Sequence, residues 1–216
     1  MYNAQAGQDV FVNKVLNKDN GFFLDIGAGT GGVSNPDPGF YSNTYYFESY
    51  RNWDGIAIDF DEQWFANVNN KRSSKCVCVD LLDHNINDVL ENHNCPNEVD
   101  YLSFDVDAAQ WKTFNELDWD KYKFKVITLE HNLFQSMDDR GSGQNYDEPY
   151  RENIIKEYNH FRKVLSTNGY KILWSDVVLN PYGPLEDWWV SEEIFEDKKH
   201  MQKHSPDCRE IYIDRA

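Results

Sequence analysis

The chain has 216 residues, 40% of them apolar and 15% aromatic, enough to bury one sizeable core and short enough to expect a single domain over residues 1–216. A net charge of −16 makes a nucleic-acid partner unexpected, because such a field repels the phosphates that supply most of the affinity. No apolar run approaches membrane-spanning length, and the opening MYNAQAGQDVFV has no basic stretch followed by an apolar one, so a soluble cytoplasmic protein without a membrane partner is expected.

In chain order, Gly7-Gln8-Asp9 leads into VFVNKVLNK, a helical stripe that Asp9 is expected to cap, with Gln5 and Gln8 placed to fold over the mouth of the first strand. That strand lies in FFLDIGAGTGG, a short buried run that ends at Asp25 and dissolves into Gly27, Gly29, Gly31 and Gly32. A backbone this open invites close approach by a nucleotide-like cofactor. Gly27-x-Gly29-x-x-Gly32 satisfies a dinucleotide spacing, but a pyrophosphate needs a helix opening at the last glycine, and Pro36 and Pro38 forbid one there. S-adenosylmethionine has no phosphate, and the Asp25 carboxylate suits its ammonium group.

Ser42, Asn43 and Thr44 are capping residues before a late first crossover helix, YYFESYR. GIAID is a second strand, ending in Asp59, where a carboxylate can accept both ribose hydroxyls. A short helix over 61–72 follows, then a third strand, KCVCVD, whose Asp80 and Leu81 offer a polar contact and an apolar wall beside an adenine ring. Cys76 and Cys78 alternate on that strand, Cys95 and Cys208 lie far away, and no C-x-x-C pair occurs, so reduced thiols are expected. The only local basic clusters are Lys71-Arg72 with Lys75, and Lys198-Lys199.

A weak helix over 84–93 precedes the fourth strand, VDYLSFDVD, which delivers Asp105 and Asp107 to its carboxyl end. A helix over 108–117 precedes the fifth, which brings Glu130, His131 and Asn132 to the same edge. Strands alternating with helices imply a parallel sheet. Residues 134–150 lack periodicity and read as a binding loop or lid. An amphipathic helix over 151–165, a sixth strand YKILWSDVVL, an aromatic EDWW segment of the core or of an acceptor pocket, and a last strand REIYID at 209–214 complete the chain. Asp105, Asp107, Glu130, His131 and Asn132 together can hold Mg²⁺ or Mn²⁺, with His131 or Asp107 taking the proton of a bound hydroxyl.

AQAGQDVFV, FFLDIGAGTGG, SNTYYFE, WDGIAIDFD, VDYLSFDVD, ITLEHN and GYKILWSDV with EDWW resemble, in this order and over nearly the whole chain, the motifs of the FkbM-type S-adenosylmethionine-dependent methyltransferases. The resemblance implies an α/β, Rossmann-like Class I methyltransferase fold: a mostly parallel seven-stranded sheet with an antiparallel last strand and helices on both faces. It implies methylation of a hydroxyl, frequently on a sugar or glycan. Similar enzymes of large algal viruses modify glycans, which would put this one in a host cytoplasm.

Carried over by residue, the resemblance assigns Asp25, Gly27 and Gly29 to the cofactor's amino-acid end, Asp59 to its ribose and Asp80 with Leu81 to its adenine. Ser42, Asn43, Thr44 and Glu48, with Gln8, close the methionine side. Asp105, Glu130 and His131 fall where related enzymes keep metal ligands or a base. The sequence departs from the family pattern after FDVD, where Ala108, Ala109 and Gln110 replace the usual Gly and Glu, and in the insertion with Pro36 and Pro38. An NAD-linked oxidoreductase and a non-catalytic nucleotide-binding module on the same fold are the alternatives.

Overall fold

The structure, a computed structural model, describes residues 2–29, 37–137 and 146–213. The chain divides into two compact units, Met1–Lys125 and Val126–Ala216. No described helix is long and apolar enough to cross a membrane.

The first unit is a parallel α/β array. Strand β1 (Phe22–Ile26) pairs in parallel with β2 (Asp54–Asp59) and β4 (Glu98–Phe104), and β2 pairs with β3 (Lys75–Cys78), in the order β3-β2-β1-β4. The sequence reason is visible in β1 and β4, whose near-continuous apolar runs suit strands covered on both faces, and Phe23, Leu24, Ile26, Tyr101 and Leu102 are all fully buried. Helices α1 (Gln8–Leu16), α2 (Tyr45–Arg51), α3 (Glu62–Val68), α4 (Ile86–Asn92) and α5 (Gln110–Glu116) occupy the connections. Asp61 caps α3 by accepting from the amides of Gln63 and Trp64, and Asn85 caps α4 by accepting from Asn87.

The second unit is built on antiparallel pairing. Strand β5 (Lys123–Glu130), which enters it at Val126, and β6 (Tyr170–Leu179) both pair antiparallel with β7 (Gly183–Ser191), and the two-residue β8 (Lys203–His204) lies parallel to β6. Helix α6 (Glu148–Thr167) precedes β6, and α7 (Glu192–Lys198) and α8 (Cys208–Ile213) follow β7 and β8.

Several expectations change. The EDWW segment is a strand, and Trp188 and Trp189 are core side chains, not walls of a pocket. The expected strand at 209–214 is α8, because Cys208 and Ile211, three apart, are the buried residues and Asp207 accepts from the Arg209 amide in the manner of a cap. The described residues therefore carry eight strands where seven were expected, in a mostly parallel α/β arrangement whose antiparallel pairing falls among the last strands, as expected. Helix α6 starts at Glu148, before the expected 151, since Asp147 caps it and Pro149 falls in the first turn, where its missing N–H costs nothing. Of the proposed lid, residues 138–145 lie outside the described residues, as do Gly31, Gly32 and Pro36 of the glycine stretch. Asp9 does not cap α1: Gly7 holds the cap position, and the buried Asp9 carboxylate accepts from the amides of Asn3, Ala4 and Val10. The four cysteines are free, and burial pushes the Cys95 thiol up to about 12.

Candidate functional site

The first unit holds a cavity of about 570 Å³ at the carboxyl ends of its parallel strands, the usual ligand position of such sheets and a usual ligand volume. Two glycines shape its floor. Gly27 has φ +88°, and a Cβ there would stand 1.4 Å from the Asp105 carbonyl oxygen, so no side chain fits. A Cβ on Gly29 would come within 2.6 Å of Asp59 Oδ2, the atom to which the Gly29 amide donates at 2.8 Å. The amides of Gly27 and Ala28 donate to Ile58 O, and that of Asp105 donates to Ile26 O, so the ends of β1, β2 and β4 are tied together where the glycines turn.

The charged lining is of one sign. Asp59, Asp61, Asp80, Asp105 and Asp107 line the cavity, and no Lys, Arg or His does among the described residues. Ile58, Val79 and Leu81 supply an apolar wall. Burial raises the Asp59 carboxyl pKa, opposed by the amides of Asp61 and Gly29 that donate to it. Asp80 accepts from the Leu82 amide at 2.8 Å, which aims the loop carrying Leu81, and Lys112 donates to the Leu81 and His84 carbonyls from α5. Asp107 adopts φ +44°, a left-handed conformation that non-glycine residues hold only under local constraint, here at the rim of a cavity.

Beneath the glycine turn lies a buried polar network. Thr44 Oγ1 donates to Asp25 Oδ2 at 2.7 Å and accepts from Arg72 Nη2 at 2.8 Å. Arg72 Nε reaches Glu48 Oε2 at 3.1 Å, and Glu48 also accepts from Ser73 N and Ser74 Oγ. Ser42 Oγ accepts from the amides of Thr44 and Tyr45, and Asn43 Nδ2 donates to Ser103 Oγ. Burial raises the Asp25 pKa, countered by Arg72 and by hydrogen bonds from Thr44 and Ser103.

The cofactor residues expected from sequence thus fall into two groups. Gly27, Gly29, Asp59, Asp80, Leu81 and Asp105 line the cavity. Among the described residues, Asp25, Ser42, Asn43, Thr44 and Glu48 form the network and do not line it; Asp25 is 1% exposed, with hydroxyls at its carboxylate. Gln8 is a further correction: it is buried, and its Oε1 accepts from the Ala6 amide. Arg72, read from sequence as part of a surface basic cluster, is 7% exposed. Nothing in the sequence marked it, because one arginine after a short helix has the pattern of a solvated turn.

His131 sits in the second unit inside a different cluster. Its Nδ1 accepts from the Leu133 amide at 3.1 Å, and its Nε2, buried and without a hydrogen bond among the described residues, lies 3.6 Å from Asp187 Oδ1. Its ring packs edge-on against Tyr158. Asp187 also receives Arg162 Nε at 2.6 Å, Arg162 Nη2 at 2.7 Å and the Asp176 amide at 2.9 Å, while Arg162 Nη2 and Tyr158 Oη bond Asp176 Oδ1. Burial alone would raise the Asp187 pKa, but His131 and Arg162 overcome it and hold it at about 2. The three ligand-type residues His131, Asp176 and Asp187 lie within 4.8 Å of one another, yet the guanidinium already occupies both carboxylates, and a metal cation would have to displace it. His131 is 3% exposed in this cluster and is not among the residues that line the cavity of the first unit.

A family model described as the methyltransferase FkbM domain matches residues 58–172, more than half of the chain. The chain belongs to this family. Its members are S-adenosylmethionine-dependent methyltransferases, and the dinucleotide and non-catalytic readings give way to that one. No curated protein matches the chain. Among solved structures, a "putative caffeoyl-CoA O-methyltransferase" from Staphylococcus aureus is similar, at TM-score 0.54 and 15% identity over 85% of this chain and 82% of that one. A TehB-like S-adenosylmethionine-dependent methyltransferase from Corynebacterium glutamicum matches at TM-score 0.44 and 12% identity, over 85% of this chain and 87% of its own. The methyltransferase domain of a bacterial Hen1 matches at TM-score 0.47 and 12% identity, over 87% and 96%. At these identities the first likeness supports the Rossmann-like fold, and the family assignment carries the chemistry.

The cavity of this FkbM methyltransferase fits its cofactor by chemistry. Among the described residues its charged lining is acidic only, which suits a ligand bearing sulfonium and ammonium charges better than a pyrophosphate. A floor closed to any Cβ admits the ligand against bare backbone.

Proposed function

We propose that this FkbM methyltransferase transfers a methyl group to a hydroxyl oxygen of a sugar or glycan. The observation that carries the reading is the cavity wall at the end of β4, where the carboxylates of Asp105 and Asp107 stand beside the cofactor residues Gly27 and Asp59. The bound cofactor supplies an electrophilic methyl on a sulfonium. The chain has to orient it and to receive the proton that the hydroxyl loses as the new C–O bond forms and the C–S bond breaks.

Asp59 takes the ribose hydroxyls, Asp80 and Leu81 take the adenine, and Asp107 takes the proton as general base. The O-methyltransferase description of the Staphylococcus aureus protein agrees with an oxygen acceptor, and the sugar follows from the family resemblance. Asp105 and Asp107 are hard oxygen donors of the kind Mg²⁺ or Mn²⁺ takes, and a cation there would acidify the hydroxyl; His131 is not part of that set. Among the described residues no chain cation lines the cavity, so a neutral, hydroxyl-rich acceptor fits better than an anionic one.

The deciding experiment titrates the protein with S-adenosylhomocysteine and with NAD in parallel, then screens sugar acceptors with chelator, Mg²⁺ or Mn²⁺. Binding of S-adenosylhomocysteine alone, with methylation of a sugar that Asp107→Asn lowers at least ~100-fold, is expected. Chelator is expected to reduce turnover by about tenfold or more, with restoration by either metal; unchanged turnover removes the cation and leaves Asp107 acting alone. Methylation confined to nitrogen or carboxylate acceptors would overturn the sugar reading.

A further inference from the structure

We infer that Arg72 is a positioning residue for the cofactor, acting through Thr44 and Asp25 to hold the strand end that carries Gly27 and Gly29. The inference rests on the cofactor assignment but not on the acceptor.

The Arg72 side chain is 1% exposed and its partner Glu48 4%. Burying a guanidinium is costly unless every donor finds an acceptor, so such a group persists where geometry demands it. Its donors are aimed at three places. Nε goes to Glu48 on α2, Nη2 to the Thr44 hydroxyl at 2.8 Å, and Nη1 toward Ser42 Oγ at 3.5 Å. The planar cation also lies 5.6 Å from the Phe23 ring centroid and 5.9 Å from that of Tyr45, within the range of cation–π attraction. Arg72 thus touches β1 through Phe23, the start of α2 through Ser42, Thr44 and Tyr45, and Glu48 within that helix.

The relay to the cavity is short. Thr44 uses one oxygen twice, accepting from Arg72 and donating to Asp25. Asp25 is two residues before Gly27, whose backbone lies so close to the Asp105 carbonyl that a Cβ there would stand 1.4 Å from its oxygen. A lysine at position 72 keeps the charge but carries its three N–H donors on one nitrogen, and cannot reach Glu48 and Thr44 from separate nitrogens as the guanidinium fork does. A solvated or merely packed arginine would have no such requirement.

The test measures S-adenosylhomocysteine affinity by calorimetry, with KM for the methyl donor and kcat, for Arg72→Lys, Thr44→Val and Thr44→Ser. Arg72→Lys and Thr44→Val are expected to weaken affinity and raise donor KM by about tenfold or more, with kcat at saturating donor within about threefold of the parent. Thr44→Ser, which restores the hydroxyl, is expected to bind within about threefold of the parent. Leu90→Ala, a buried truncation on α4 away from the network, controls for lost stability and is expected to lower the melting temperature with affinity unchanged.

Should Arg72→Lys fail to fold, Thr44→Val and its serine rescue decide alone. Parent-like affinity in a folded Thr44→Val, no rescue by serine, or an equal loss in Leu90→Ala would each overturn the inference. Failure of the parent itself to bind S-adenosylhomocysteine would overturn the cofactor assignment instead.

Discussion

Both units bury a carboxylate among apolar strand residues, and they treat it in opposite ways. In the parallel unit burial prevails at Asp25 and Asp59, and their pKa values rise despite the hydrogen bonds they accept. In the antiparallel unit Asp187 is as deeply buried, but the Arg162 fork and His131 prevail and hold it at about 2. The first arrangement disfavours charge on its carboxyls; the second favours it through the Arg162 fork. The same residue type meets opposite electrostatics according to whether desolvation or a partner cation prevails.

The sharpest way to break that contrast is Gly27→Ala. The added Cβ meets the Asp105 backbone at 1.4 Å and the φ of +88° is unfavourable for alanine, so S-adenosylhomocysteine binding is expected to vanish in calorimetry while the second unit keeps its hydrogen-exchange protection.

Next in size is Arg162→Leu, which leaves Asp187 and Asp176 buried without their cation and is expected to cost about 3–5 kcal/mol in denaturant unfolding, with cofactor affinity unchanged in protein that remains folded. His131→Asn sharpens the same point: kcat is expected within about threefold of the parent, and a loss of about a thousandfold at unchanged melting temperature would make His131 the base after all.

Acidification separates the two units without mutation. Asp187 is depressed from 3.8 to about 2 in the fold, so its contribution of about 2 kcal/mol is present above about pH 4 and lost as pH falls toward 2. Asp25 and Asp59 are raised above 3.8, so their burden on stability is relieved as pH falls from their raised values to about 4, before the Asp187 contribution begins to be lost. Segment-resolved hydrogen exchange between about pH 5 and about pH 2.5 is expected to show the strands β6 and β7 losing protection before β1 and β2. The smallest effect is Asp59→Asn, expected to weaken S-adenosylhomocysteine about tenfold while leaving the melting temperature equal or higher, because a desolvated charge is removed with the ligand's partner.

The sequence by itself determined the backbone elements of the first unit and most of the cavity. Apolar runs ending in Asp25, Asp59, Asp80 and Asp105 declare parallel strands, Asp61 and Asn85 cap helices as local chemistry requires, and Gly27 and Gly29 mark where backbone must come close. These are legible because they depend on neighbours within a few residues. Tertiary structure alone decided which polar groups face the cavity and which brace it. Asp25 and Asp59 both follow apolar runs in the sequence, yet one accepts from Thr44 in the interior and the other lines the cavity. His131 follows a strand-end glutamate like a catalytic base, yet it is buried, with Leu133 bonded to Nδ1 and Asp187 at 3.6 Å from Nε2. Arg72 sits in a polar turn, yet Glu48 and Thr44, 24 and 28 residues away in sequence, draw it into the interior. Desolvation and partner choice are set by residues distant along the chain, and no local pattern encodes them.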